Sequence, residues 1–428
     1  MNTRLVALML LAGAAWAQAP DPAYAESFES VWKTVRDKHW DPALGGLDWQ
    51  AVHDELRPRI DKATDNAQVR QILTEMLERL HLSHYRILPG LVYAGLGAGS
   101  ATLGGDGETG IDLRVLDGQA VVSSVDSGSP AAKAGVAPGW IIQKVDSSDL
   151  APFIKQFLEH SKDSTLRDLT LRRAILLRLA GLVGENVTVE FTDWKGWPVT
   201  KTMTHIEPRG RLTSLGFLGP SHVWLEAHKV KADLLTIQYI GFNLFLDPAH
   251  LMPEFATAVE SCLKCDGFVI DLRGNPGGLG AMATGMASWF VDQKNAFLGT
   301  LVLRDTALKF VINARAESYP GPLAILVDGT SASTAEIMAG GLQDLKRAQI
   351  FGSRTAAAAL PSVVEKLPNG DAFQFAIANY VSAGGKELEG NGVSPDVDAP
   401  LTRAALLAGK DPALDAAVEW IKNQKAEK

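Results

Sequence analysis

Between Asn66 and His81 the chain reads NAQVRQILTEMLERLH, with apolar Val69, Ile72, Leu73, Met76, Leu77 and Leu80 recurring every third or fourth position. That spacing lines one helix face. It predicts a packed helix ending near His81 within a segment, Asp21 to about Arg86, that reads as helical throughout. A glycine-rich run, GLGAGSATLGGDGETG, breaks the pattern. It lacks the G-x-G-x-x-G spacing and the strand-then-helix frame of a nucleotide loop, so it reads as a linker. The period then shortens to two in TGIDLRVLDGQAVVSSV and IIQKVDS, with a turn at DSGSPAAKAGVAPGW between them. These are short strands of a small β-rich unit. The basic, amphipathic TLRDLTLRRAILLRLAGLVG reads as a packed helix inserted in that unit. A hairpin follows, Val187 to Asp193 and Pro198 to His205, turning at Trp194-Lys195-Gly196-Trp197, and the unit closes near residue 206. From residue 230 onward, strands ADLLTIQYI, GFVIDLR, PLAILVD and AQIFG alternate with helices MPEFATAVESCL, GAMATGMASWFV and TAEIMAGGLQDL. Such alternation predicts an α/β layer domain, in which reactive groups collect where strands end and helices begin.

Composition narrows the function classes. The chain has 428 residues, 46% hydrophobic and 21% charged, with a formal charge of −8. This is a globular, multidomain composition. It argues against nucleic acid or an anionic membrane as the main partner, because those need clustered Lys and Arg. At the N-terminus, Arg4, the apolar run LVALMLLAGAAW and the small-x-small Ala15-Trp16-Ala17 have the layout of an export signal cut after Ala17. No later segment sustains ~18 uncharged apolar residues, so no membrane span is expected in the mature chain. Cys262 and Cys265 lie in CLKC. An oxidising compartment allows a bridge there, and a structural disulfide, a redox pair and reduced thiols all stay open. No H-E-x-x-H, P-loop or cluster at metal spacing occurs, so neither metal nor organic cofactor is expected.

Two strand-to-helix junctions carry candidate chemistry. In FVIDLRGNPGGLG, four glycines let backbone N–H groups approach a ligand. In DGTSASTAEIMAGG, a strand turns into a helix through Ser331 and Ser333. A serine at such a start is held outward, and free helix N–H groups favour a developing oxyanion. Ser is also a preferred N-cap, so residue type alone leaves both roles open.

The ordered segments GSPAAKAGVAPGWII, DLRGNPGG, DGTSASTAEIMAGGLQD and LEGNGVSPDV resemble the tail-specific or C-terminal processing peptidases, exported serine peptidases with a PDZ-like domain. The likeness covers most of the chain from about residue 66. It implies a crotonase-like (ClpP-like) α/β catalytic core, an inserted β-rich PDZ-like domain and an N-terminal helical segment. The expected layout is a signal peptide at 1–17, the helical segment at 20–92, the PDZ-like domain at 93–206 and the core at 207–428. The resemblance also implies that Ser333, three before Glu336, is the nucleophile, leaving Ser331 structural. Many members take a lysine base from G-x-x-T-x-G-K. Here Gly352 and Thr355 match, but Ala358 stands at the lysine position.

Histidine is the natural substitute. Ser83-His84 is similar to the Leu-x-x-Ser-His segment of the tricorn-protease branch, which implies His84 as base, Ser83 as a network partner and Glu389 as the orienting carboxylate. His222 is the rival base and Glu387 the rival carboxylate. Thr334 with Gly277 or Gly278 are the expected oxyanion donors, while Asp271, Arg273 and Asn275 are expected to brace the turn. The TGIDL stretch resembles a PDZ carboxylate-binding edge, with Gly110, Ile111, Asp112 and Leu113 receiving a peptide terminus. The expected protein is therefore an exported, periplasmic or extracellular serine endopeptidase acting on polypeptides through their C-termini, with an N-terminal segment of the kind that mediates homo-oligomer assembly. The alternative is an inactive peptide- or lipid-binding protein on the same scaffold, favoured by the missing lysine.

Overall fold

The computed structural model describes residues 21–90, 107–161, 164–215 and 218–426. The export signal at 1–17 and most of the glycine-rich run lie outside the described residues. Helices α1 (Pro22–Lys38), α2 (Trp49–Ile60) and α3 (Asn66–Glu78) open the chain, and Asp21, Asp48 and Asp65 cap their N-termini by accepting backbone N–H groups. Their apolar faces, including Phe28, Leu56, Leu73 and Met76, pack on Leu367, Phe373 and Phe375 from far along the chain. Strand β1 (Arg86–Leu88) completes this docking by pairing antiparallel with the strand that carries Phe373.

The β-rich unit contains β2 (Ile111–Leu116), β3 (Gln119–Val125), helix α4 (Pro130–Lys133), β4 (Ile141–Val145), β5 (Ser148–Asp149), helices α5 (Leu150–His160) and α6 (Arg167–Leu179), β6 (Asn186–Thr192) and β7 (Pro198–Thr204). Its sheet runs β2-β3-β4-β6-β7, which leaves β2 at an edge. The insertion is two helices rather than the single one expected, because α5 follows directly from β5. Helix α6 buries Leu171, Ile175 and Leu179 in the core of this unit.

The remaining chain holds β8 (Arg211–Leu215), β9 (Leu218–Val223), β10 (Leu225–Ala232), β11 (Leu235–Phe242), α7 (Pro248–Glu260), β12 (Gly267–Asp271), α8 (Gly280–Ala287), β13 (Phe297–Leu303), β14 (Ala307–Val311), β15 (Leu323–Val327), α9 (Thr334–Asp344) and β16 (Gln349–Gly352). Then come β17 (Ser362–Lys366), β18 (Ala372–Ala376), β19 (Ala378–Ser382), β20 (Val397–Asp398), α10 (Arg403–Leu407) and α11 (Pro412–Ala426). The central sheet runs β10-β11-β12-β15-β16-β20, parallel from β11 onward with β10 antiparallel at the edge. β12 and β15 are buried at every position, as strands covered on both faces must be. One apolar cluster lies under α7, α8 and α9, and a second, around Ala417 and Ile421 of α11, covers the other face. Cys262 and Cys265 form a disulfide just after α7.

Candidate active site

The chain leaves β15 through a turn built on Asp328. Its Oδ1 accepts from the Thr330 N–H at 2.9 Å and the Thr330 hydroxyl at 2.6 Å. Ser331 is buried in that turn, donating to Leu272 O at 2.7 Å and accepting from the Asp328 N–H at 3.0 Å. Ser333 is the N-cap of α9 with φ 55° and ψ −118°. A residue with a Cβ adopts that conformation at a cost of ~1–3 kcal/mol, and such strain concentrates at functional sites. Glu336, fully buried, holds the turn in place. Its carboxylate accepts from the N–H groups of Ser333 (3.0 Å), Ala357 (2.9 Å) and Ala358 (2.9 Å) and from the Thr355 hydroxyl. The Ser333 N–H also donates to Ala358 O at 2.9 Å. Ala357, in the same segment, has φ 57°.

The glycine turn after β12 lies against this serine. A β-carbon on Gly277 would stand 2.7 Å from Ser333 Cβ and 2.8 Å from Thr334 N, so only glycine fits there. The Thr334 hydroxyl donates to Gly278 O at 2.8 Å, tying the helix start to the turn. Asn275 braces it, donating to Phe242 O and accepting the Gly277 N–H at 2.9 Å. This corrects one expectation: the Gly277 N–H is committed to a side chain. The N–H groups of Gly278 and Thr334 have no hydrogen-bond acceptor among the described residues.

Ser83 and His84 reach the site in the loop between α3 and β1, with His84 at φ 61°. The Ser83 N–H donates to Glu389 Oε1 at 2.6 Å, and the Ser83 hydroxyl donates to Glu389 Oε2 at 2.8 Å. His84 Nδ1 lies 2.6 Å from the same hydroxyl oxygen. Because the hydroxyl proton goes to the carboxylate, Nδ1 must carry the proton in this bond, which leaves Nε2 with a lone pair. Glu389 Oε2 also accepts from the Ala359 N–H at 3.1 Å. The backbone of 358–359 thus joins Ser333 to the Ser83–His84–Glu389 group. No hydrogen bond links Ser333 to His84 directly among the described residues. The rivals fall elsewhere. Glu387 faces Asn379 at 3.2 Å, and His222 lies in β9 with its Nδ1 unpartnered.

Two family models match the chain: Peptidase family S41 over residues 216–399 and the Tricorn protease C1 domain over residues 20–78. The chain is similar to peptidase family S41 through residues 216–399, which include Ser333 and Glu389. The chloroplastic C-terminal processing peptidase of Tetradesmus obliquus is 26% identical over 381 residues, covering 86% of this chain and 76% of that protein. Among solved structures, the photosystem II D1 C-terminal processing protease matches with a TM-score of 0.60 at 23% identity, covering 92% of this chain and 96% of that one. Mature CPAF complexed with lactacystin gives 0.62 at 13% identity, covering 95% and 98%. These likenesses establish a shared mixed α/β fold.

The candidate site is shaped by burial. Desolvation lowers the His84 pKa to about 4, with the Arg86 charge adding to it, so the ring is neutral at pH 7. Burial raises the Glu389 carboxyl, and the Ser83 and Ala359 donors offset part of that. Burial lifts Glu336 to about 7 against its four donors. In the sequence Glu336 marks only the register of Ser333, yet an acid three positions into a helix behind a serine N-cap is a capping-box pattern, the local signal of its place at the turn.

Asp271 and Arg273 are also structural: Tyr239 donates to Asp271, and Arg273 pairs with both Asp271 and Asp411. A cavity of about 1470 Å³ separates the β-rich unit from the sheet ends and reaches Asp328 and Thr330, although Ser333 is not on its wall. Gly110 and, from β2, Ile111 and Asp112 line it. Two of the four expected peptide-binding residues are less open than the sequence suggests. The Leu113 N–H is taken by Asp112 Oδ1 at 2.7 Å, and the Asp112 carboxylate is held by Arg114 at 2.8 Å and Arg172 at 2.7 Å. Arg114 in turn reaches Asp328 at 2.7 Å. Among the described residues no cluster has metal-ligand geometry, and no helix is long and apolar enough to cross a membrane.

Proposed function

We propose that this chain is an exported serine endopeptidase of family S41 that cleaves through an acyl-enzyme, with Ser333 as nucleophile and His84 as base. The observation that carries the reading is the Glu389–Ser83–His84 chain. It fixes the imidazole with its proton on Nδ1 and its Nε2 lone pair available, at a backbone segment shared with Ser333. Nε2 takes the Ser333 proton as Oγ attacks the peptide carbonyl, and the Thr334 and Gly278 N–H groups receive the oxyanion. The imidazolium is stabilised through Ser83 by Glu389 and then returns the proton to the leaving amine. Water repeats the cycle on the ester and releases the acid. Strain at Ser333 and close approach at Gly277 support the same assignment.

The β-rich unit is read as PDZ-like and the parallel sheet with its helices as a crotonase-like core. The β2 edge beside α6, facing the cavity, is the place for a substrate C-terminus to add as a strand. An export signal at 1–17 puts this chemistry outside the cytoplasm. Ala358 at the lysine position is the one observation favouring an inactive binding protein. A serine-directed fluorophosphonate probe separates the readings: wild type labels, whereas Ser333→Ala and His84→Ala do not. Equal labelling of Ser333→Ala, or no labelling and no turnover by wild type, supports the binding reading instead.

A further inference from the structure

Ala332, Ala356 and Ala358 form a separate buried apolar cluster, and the partly buried side chains packed on it are Leu166 and Leu169. The alanines flank Ser333: Ala332 precedes it in the chain, and Ala358 O accepts its N–H. The leucines come from the first turn of α6 and the residue before it, which belong to the β-rich unit rather than to the sheet that carries Ser333. Their position is fixed from that side, because α6 buries Leu171, Ile175 and Leu179 in the β-rich core and Arg172 grips Asp112 with two bonds, at 2.7 and 3.0 Å. The helix start also rests on the loop leading to Ser333, since a β-carbon on Gly329 would come within 3.1 Å of Asp168 Oδ2. The segment whose Ala358 O accepts the Ser333 N–H carries only methyl side chains at Ala356, Ala357, Ala358 and Ala359, all buried. Leu166 and Leu169, packed against Ala332, Ala356 and Ala358, are themselves only half-buried.

We infer that Leu166 and Leu169 form a wall of the pocket for the substrate side chain next to the scissile bond, and so set the size of residue accepted there. An apolar side chain entering beside Ser333 loses water against these leucines. Shortening them opens room for a larger one, and pockets of this kind discriminate roughly 10–200-fold per methylene group gained or lost. The inference rests on the reading of Ser333 as nucleophile, so the test reads the two separately.

Full-length wild type, Leu166→Ala, Leu169→Ala and Leu169→Met are each given a denatured peptide library, and cleavage sites are mapped by mass spectrometry. Fluorophosphonate labelling of Ser333 is measured in parallel. The expected result is that the alanine variants keep labelling while their preference beside the scissile bond moves toward bulkier residues by about tenfold in kcat/KM, and Leu169→Met moves it less. An unchanged profile with normal labelling overturns the inference and leaves Ser333 standing. Lost labelling in folded alanine variants also overturns it, because the leucines would then be holding the serine loop. Failure of wild type to label overturns the parent reading instead. If the alanine variants do not fold, Leu169→Met decides: a shifted profile supports the wall, and an unshifted one rejects it.

Discussion

Ser333 and His84 are placed by different kinds of structure. Ser333 is held by neighbours around one sheet: β15 delivers it, Glu336 of α9 accepts from its N–H, and Ala358, beyond β16, also accepts from it. His84 arrives from the N-terminal helical segment, which meets the rest of the chain through the β1–β18 pairing and the packing of α1, α2 and α3 on Phe373 and Phe375. The Ser333 side is therefore over-determined by local hydrogen bonds. The His84 side depends on a docked interface. The difference implies that His84 can be displaced while the serine loop stays intact.

The largest effect should come from Glu336→Ala, which removes the acceptor from three backbone N–H groups and the Thr355 hydroxyl. The Ser333 N–H keeps Ala358 O as an acceptor, whereas each of the other donors left dry costs on the order of 1–3 kcal/mol. Thermal unfolding should show a large loss of stability, with labelling of Ser333 abolished. A stable, labelled variant would show that the serine loop does not need its central carboxylate.

Phe373→Ala attacks the other side. Its side chain is fully buried in the docking cluster, and such truncations cost about 3–5 kcal/mol. Hydrogen exchange should rise in residues 66–78 while β15 and α9 keep their protection, and peptidase activity should fall. Uniform loss of protection across both regions would mean that the halves are not separately held.

Ser83→Ala is milder because it cuts only the link between His84 and Glu389. Removing such an outer partner typically costs 10–100-fold, here expected in kcat/KM with melting unchanged. Wild-type activity in this variant would remove Ser83 from the network.

The pH dependence should separate the two sides most gently. The His84 pKa is depressed to about 4, so the unfolded chain protonates first, and the stability it contributes is present above 6.5 and lost as pH falls toward about 4. Glu336 is raised to about 7, so its contribution is present below 4.5 and lost as pH rises toward about 7. His84→Ala should therefore flatten the acid-side stability loss, and the kcat/KM of wild type should fall only as pH drops through about 4. An acid limb near 6.5 would contradict the buried, neutral ring.

Much of this was legible from pattern. The helix face from Val69 to Leu80 and the apolar strands around Phe268 and Leu323 read correctly because burial on one or both faces imposes the period. The hairpins β8–β9 and β13–β14 did not: β14 is mostly exposed, β13 has no charged position to mark a solvent face, and Arg211-Leu212-Thr213-Ser214-Leu215 of β8 shows no clean alternation. At the site, glycine content marked the turn after β12, but which N–H stays free depends on Asn275, a tertiary partner. The Glu336–Thr355 and Arg114–Asp328 contacts join separate segments, and no local spacing reveals them.

The central claim is that His84, oriented through Ser83 by Glu389, activates Ser333. The most direct measurement is the second-order rate of fluorophosphonate labelling, with the adduct located by peptide mass spectrometry, in wild type and His84→Ala at pH 7. The account predicts an adduct on Ser333 and a rate at least about 10²-fold lower without the imidazole. An adduct on another residue, or equal rates in the two proteins, would contradict it.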